Sequence, residues 1–323
     1  WIYQKLAMSK KIKLVEITSE LGAGTRGASL GVGALKTAAY NNNSLFFSRY
    51  ESVEVRDYNE FLFQENKTPS AIRIEHVSKA FDEVSQSVQS VFQQNEFPFL
   101  IAGDHSTAAA TIAGIHQAHP GKKLGVVWVD AHADLHSPFT SPSGNIHGMP
   151  LAIACGLDNL ECKVNTVSAG VEQYWDNLKS LGGQNLETNN LVFIGVRDTE
   201  QPEDYLIAEK GIKNFKVEEV SKIGGKEIAK QSLSLLDSCD LIYVSFDVDS
   251  MDPNEVSHGT GTPVPGGIPV STVTEILCEF AASPKLVCFE VVEINPTLDE
   301  KKNKMAETAA LIIEKVATVI ENR

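Results

Sequence analysis

The residues of this sequence best suited to chemistry are the alternating acids and imidazole of Asp130-Ala131-His132-Ala133-Asp134. A period of two can aim all three side chains to one side of an extended segment, so three metal-capable donors converge. Gly103-Asp104-His105 and Asp247-Val248-Asp249 offer the same residue types elsewhere in the chain. His105, Asp130, His132, Asp134, Asp247 and Asp249 together make two imidazoles and four carboxylates, and four negative charges match two divalent cations. Taken singly, an aspartate at a strand end is more often a turn or helix cap than a ligand. Three such ends, two of them with alternating spacing, point instead to a two-metal site that makes a nucleophile from water. Carboxylate oxygens suit manganese or magnesium, imidazole adds affinity for transition metals, and no cysteine is in the set. Manganese is the first choice, with cobalt, iron or zinc as alternatives.

Each of these segments follows a continuous apolar run, at 97–102, 124–129 and 241–246, and a fourth run beginning near Leu286 ends in Glu293. Such runs read as buried parallel strands, and ligands in open α/β sheets bind at their carboxyl ends. Between them, apolar residues recur at helical intervals over 72–94, 226–236, 273–281 and 305–320. Alternating strands and helices predict a mostly parallel sheet with helices on both faces, an α/β fold. Gly31-Val32-Gly33 lacks the glycine spacing of a dinucleotide site, so it reads as a packing or helix-opening feature.

In this order, Gly103-Asp104-His105, Asp130-Ala131-His132-Ala133-Asp134 and Ser245-Phe246-Asp247-Val248-Asp249 resemble the signature segments of the arginase and agmatinase superfamily, the ureohydrolases. The resemblance runs from about the first strand to Glu293 and beyond. Within it, the stretch from Thr140 to Pro150, containing Ser143-Gly144-Asn145-Ile146-His147-Gly148, is similar to the loop of arginases proper, and the stretch from Glu20 to Gly27 to the opening of some bacterial arginases.

The resemblance implies a three-layer α/β/α arrangement, a trimer or hexamer, and two Mn2+, with Co2+ or another divalent transition metal as the alternative. One ion would be held by His105, Asp130, Asp134 and Asp247 and the other by His132, Asp130, Asp247 and Asp249, with Asp130 and Asp247 bridging. It further implies hydrolysis of L-arginine to L-ornithine and urea by a metal-bridging hydroxide. Guanidinium is resonance-stabilised and a poor electrophile, so water must be ionised near neutral pH. Asp134 would pass a proton to the leaving amine, and His147 would act as proton shuttle, a task that its ordinary pKa suits. Glu293 would pair with the planar guanidinium and aim its carbon at the nucleophile. For His147 the plainer reading is a solvated loop histidine, and for Glu293 a turn cap before Asn295-Pro296.

Ser143 and Asn145 match positions that bind the α-carboxylate of arginine, and Thr262 lies in a Thr-Gly-Thr-Pro turn where it touches guanidinium or caps the turn. Two positions depart from the family pattern. His136 stands where arginases commonly have asparagine, and Glu200 where an aspartate usually meets the α-amino group. His136 can still donate a hydrogen bond and Glu200 keeps its charge at a longer reach, so arginine stays the favoured substrate. Agmatine or another guanidino or formimino compound is the alternative on the same metals, and a metal-binding homologue without turnover is the third reading.

The 323 residues contain no Ser/Gly linker or charge block, so a single domain over 1–323 is expected, with residues 1–7 ahead of Met8 read as vector-derived or disordered. A net charge of −14 disfavours nucleic acid and anionic membranes as partners and can steer a cationic substrate. Five scattered cysteines, an odd number without metal spacing, read as reduced thiols of a cytoplasmic protein. The sequence shows neither an 18-residue apolar run nor a signal peptide, so neither a membrane span nor export is expected.

Overall fold

A computed structural model describes residues 10–323, and the reading of residues 1–7 lies outside that range. Among the described residues, eight strands form one sheet: β1 (Ile12–Ile17), β2 (Glu51–Val55), β3 (Phe97–Ala102), β4 (Leu124–Val129), β5 (Leu191–Ile194), β6 (Lys213–Phe215), β7 (Leu241–Asp247) and β8 (Leu286–Val292). Every pairing is parallel. Parallel neighbours need crossovers, supplied here largely by helices α1 (Gly31–Asn41), α2 (Phe46–Arg49), α3 (Ile74–Gln93), α4 (Ala108–Ala118), α5 (Pro150–Cys155), α6 (Ala169–Ser180), α7 (Gln201–Lys210), α8 (Val217–Ile223), α9 (Gly225–Leu235) and α10 (Val270–Ala281). Helix α11 (Lys304–Glu321) closes the chain.

The strand order is β2-β1-β3-β8-β7-β4-β5-β6. This order positions the chemistry, because β3, β8, β7 and β4 lie side by side and the loops leaving them carry His105, Glu293, Asp247 with Asp249, and Asp130 to Asp134. Segments spread over 189 positions of sequence, from His105 to Glu293, thus open onto one edge of the sheet.

Two apolar layers clamp the sheet, which is why its central strands are apolar on both faces. Leu35, Ile228, Ile276 and Ile313 pack against Phe99, Val127 and Val244 on one side. Val84, Ile112, Leu151 and Trp175 pack against Leu100, Trp128 and Tyr243 on the other. The apolar stripe expected over 72–94 is the buried face of α3, through Ile74, Val77, Phe81, Val84, Val88 and Val91. That helix starts at Ile74, not at 72, because Arg73 has a left-handed φ of 56° that no helix continues through. Gly31 opens α1, and its lack of a side chain is required: a Cβ there would lie 2.6 Å from the carbonyl oxygen of Ile294, next to Glu293.

Candidate metal centre and active site

The six metal-capable residues come together. Nδ1 of His105 lies 3.0 Å from Asp130 Oδ2 and 3.2 Å from Oδ2 of both Asp134 and Asp247. Nδ1 of His132 lies 3.0 Å from Asp249 Oδ2 and 3.5 Å from Asp130 Oδ1. Asp130 therefore turns one oxygen to each imidazole group. Asp247 shows one oxygen to the His105 group and accepts the Asp249 N–H on the other, at 2.8 Å. Two sets, His105 with Asp130 and Asp134, and Asp130 with His132 and Asp249, bring their ligand atoms within 4.8 Å of one another.

Donor chemistry and spacing both fit cations. His105 Nδ1 and Asp130 Oδ2 are buried, and neither has a hydrogen-bond partner despite their closeness. They face a common point and not each other. Ligand atoms bonded at about 2.1 Å to one ion at right angles would stand about 3.0 Å apart, close to the separations seen. The second ring nitrogens are also engaged: His105 Nε2 with Ser245 Oγ at 2.8 Å, and His132 Nε2 toward Asp198 Oδ2 at 3.7 Å. Contacts of this kind orient a ligating imidazole. Burial, and then the charge of Asp130, push Asp134 up to about 7. Burial and neighbouring carboxylates also raise Asp247 and Asp249, whereas for Asp130 the two imidazoles outweigh burial and hold it down. Carboxylates this crowded and dry need positive charge beside them.

His147 and Glu293 sit at the edge of this cluster, with Nδ1 and Oε1 3.2 Å apart. Burial opposes the imidazolium of His147, but the hydrogen bond and charge of Glu293 prevail and push its pKa up to about 9. Burial likewise works against the Glu293 carboxylate, yet His147 and the His105 backbone N–H hold it below its usual range. Asp134 and Glu293 share a further feature that sequence could not show: left-handed backbones at φ 52° and 66°. Non-glycine residues are held there only where the surroundings fix them, and two such acids at one cleft mark strain retained for position.

A cleft of about 250 Å3 opens above the cluster, and its rim carries the remaining expected residues. Ser143 and Asn145 face it, with Ser143 Oγ accepting the Asn145 N–H at 3.2 Å. The segment from Glu20 to Gly27 braces this loop, since the Gly22 carbonyl accepts the His147 N–H at 3.1 Å and a Cβ on Gly24 would come within 2.6 Å of Asn145 Nδ2. Thr262 donates to Asp249 Oδ2 at 3.2 Å and so touches the metal-capable cluster directly. The two departures from the family pattern meet one another: His136 Nε2 stands 3.2 Å from Glu200 Oε2, while Thr140 engages its Nδ1 at 3.1 Å.

Four residues that sequence reading passed over hold these loops. Glu203 is buried, accepts the N–H of Leu135 and of Glu200, and so ties the metal loop to the cap of α7. Tyr243 and Glu290 form a buried hydrogen-bonded pair below His105. Arg197 spreads its guanidinium over the carbonyls of Gly195, Asp249, Ser250, Val264 and Pro265, joining the ends of β5 and β7 to the loop before α10. Truncation leaves these acceptors unpaired, so Arg197→Ala should destabilise the metal-free protein by about 3 kcal/mol in chemical denaturation. A change under about 0.5 kcal/mol, the size of an ordinary surface substitution, would show that the clamp is idle.

The sequence profile described as the arginase family matches residues 10–318. The arginase of Bacillus subtilis is 32% identical over 95% of this chain and 97% of its own length. Its crystal structure superposes with a TM-score of 0.78 at 30% identity, covering 95% of this chain and 98% of that one. The structure of Entamoeba histolytica arginase in complex with L-ornithine superposes at 0.82, with 28% identity and coverage of 95% and 98%.

Proposed function

The chain belongs to the arginase family, and we propose that it hydrolyses L-arginine to L-ornithine and urea at a centre of two divalent cations, manganese first among them. The observation that carries this reading is Asp130, whose two oxygens face the two imidazole groups and so can join two ions. His105, Asp134 and Asp247 would complete one site, and His132, Asp249 and Asp247 the other. When bound, the ions would supply water of lowered pKa as nucleophile.

The chain's own groups supply the rest. Glu293, kept ionised by its neighbours, offers a carboxylate to the guanidinium and orients its carbon toward the centre. His147 holds a proton beside Glu293 at neutral pH and would act as the shuttle that exchanges protons between the site and solvent. Asp134, whose Oδ2 lies 3.2 Å from His105 Nδ1 in the cluster, would pass the proton to the leaving amine. At the rim, Ser143 and Asn145 would take the α-carboxylate, and Glu200, oriented by His136, the α-ammonium.

Support for arginine over agmatine comes from the polar Ser143-Gly144-Asn145 rim, because the two compounds differ by the α-carboxylate alone. Asn145→Ala should lower kcat/KM for arginine by about tenfold, the worth of one hydrogen bond to a charged group, and leave agmatine turnover unchanged. An equal fall for both substrates would mean that this loop does not read the carboxylate.

The five cysteines, all free and three of them buried, support a reducing compartment and so the cytoplasm. Among the described residues no helix is long and apolar enough to cross a membrane. The family resemblance supports a trimer or hexamer.

A further inference from the structure

Asp104 is completely buried beside the cleft, and the mechanism above gives it no part. Its two oxygens hold two different stretches of backbone: Oδ1 accepts the Ser106 N–H and Oδ2 the Gly22 N–H, each at 2.9 Å. The first bond caps the turn that begins at His105. The second reaches back 82 positions to the segment that braces the His147 loop. There the carbonyl of the same Gly22 accepts the His147 N–H at 3.1 Å, so one residue hangs between the Asp104 side chain and the His147 backbone. Gly22 fits only without a side chain, since a Cβ would lie 2.6 Å from Ser106 Oγ and 2.9 Å from Asp104 Oδ1. A second tie runs beside the first, from the Asp104 N–H to the Ser19 carbonyl at 3.1 Å.

We propose that Asp104 is a positioning residue for His147, acting through Gly22. The proposal rests on the reading of His147 as proton shuttle. The ring of His147 is already tied to the same loop by another route: its Nδ1 meets Glu293 Oε1, which also accepts the His105 N–H at 2.9 Å, and the Glu293 N–H donates to the Gly103 carbonyl at 2.8 Å. Residues 103–106 therefore hold the imidazole through Glu293 and its backbone through Asp104. The second hold matters because the turn that carries His147 does little to hold itself. Ile146–Gly148 is a three-residue 3-10 helix, entered through a Gly148 N–H that reaches the Asn145 carbonyl at 3.4 Å, and hydrogen bonds of such turns are poorly aligned. A ring held at Nδ1 alone pivots about that contact, whereas a ring whose backbone is also fixed has its Nε2 in one place. Proton transfer depends on that place to within about 1 Å.

Asp104→Asn tests this with little change of shape, because an amide offers one acceptor to two backbone N–H groups. Gly22→Ala presses on the same link from its other end. In the manganese-loaded full chain, each should lower kcat for urea release from arginine by about ten- to a hundredfold and keep two ions per chain. Combined with His147→Asn, which leaves no shuttle to misplace, each should cost no more than about twofold further, since residues that act as a unit are not additive. In the metal-free protein, the His147 backbone amide should exchange with solvent at least about tenfold faster in both variants. Should Asp104→Asn fail to fold, Gly22→Ala carries the comparison. An equal fall in kcat with and without His147, or loss of an ion, would place Asp104 in the service of the fold or of the metal site and overturn the proposal, as would wild-type kcat and exchange in both variants. A wild-type rate in His147→Asn itself would overturn the shuttle reading and this proposal with it.

Discussion

Asp130→Asn is expected to remove arginine hydrolysis almost completely, by at least about a thousandfold, and to take bound manganese from two ions per chain to fewer than one. The size follows from what the residue serves: it is the carboxylate that faces both imidazole groups, and it is fully buried with no water to replace its charge. Loss of a single preorganised electrostatic contact in an active site costs about a hundred- to a thousandfold. Loss of the group shared by both ions also removes the means of ionising water near neutral pH. The variant keeps the shape of the side chain, so a folded protein with depleted metal is the predicted product. Metal analysis after dialysis, together with urea release, checks both parts. Two tightly held ions and wild-type turnover in this variant would mean that Asp130 does not bridge.

His147→Asn should slow turnover by about a hundred- to ten-thousandfold, the usual worth of a positioned acid or base, and should keep both metals. Its imidazole stands off the ligand cluster and meets Glu293, so the loss falls on proton transfer and not on metal binding. The same variant gives a second reading in the metal-free state. The folded pKa of His147 is about 9 against an ordinary 6.5, so the pair with Glu293 stabilises the fold fully below about 6.5, and that contribution fades as pH rises through about 9. Wild type should therefore exceed His147→Asn in stability by up to about 3 kcal/mol at pH 6, and the gap should close by pH 10. A gap independent of pH would detach His147 from Glu293, and an unchanged rate across pH would end its role as shuttle.

The candidate metal centre was legible because its donors sit at strand ends, and the strands that present them are apolar on both faces. Asp130, His132 and Asp134 announce themselves by spacing alone, and His105 and Asp247 by the runs before them. The outer strands were not so readable. β2 is a short edge strand with two glutamates and little burial, and β6 has only three residues, so neither carries a periodic signal. The supporting residues were hidden for another reason. Glu203 looks like a solvated acid on a helix, Arg197 like a loop cation and Glu290 like an intruder in an apolar strand, and each acquires its partners only through the tertiary fold. His136 and Glu200 could be singled out as departures from the family pattern, but their meeting across 64 positions could not be read from either one. The left-handed backbones of Asp134 and Glu293 lie further still from sequence, since neither residue type requires them.

The pairing of His136 with Glu200 also bears on how the rim reads a substrate. Glu200 is half exposed at the mouth of the cleft, while its partner is buried and held by Thr140, so the carboxylate is offered from a fixed base. A longer acid in place of the usual aspartate is thereby kept from folding away. Under the proposed function, this arrangement would favour a substrate with an ammonium group near its outer end, which arginine and agmatine share, and would leave the choice between them to Ser143 and Asn145.

The most direct test of the account is urea release by purified, manganese-loaded protein given arginine and agmatine in parallel, with a chelated sample beside each. Release from arginine in preference to agmatine, abolished by the chelator, is the predicted result. A preference for agmatine would contradict the substrate assignment, and silence on both substrates with two ions bound would contradict the proposed activity itself.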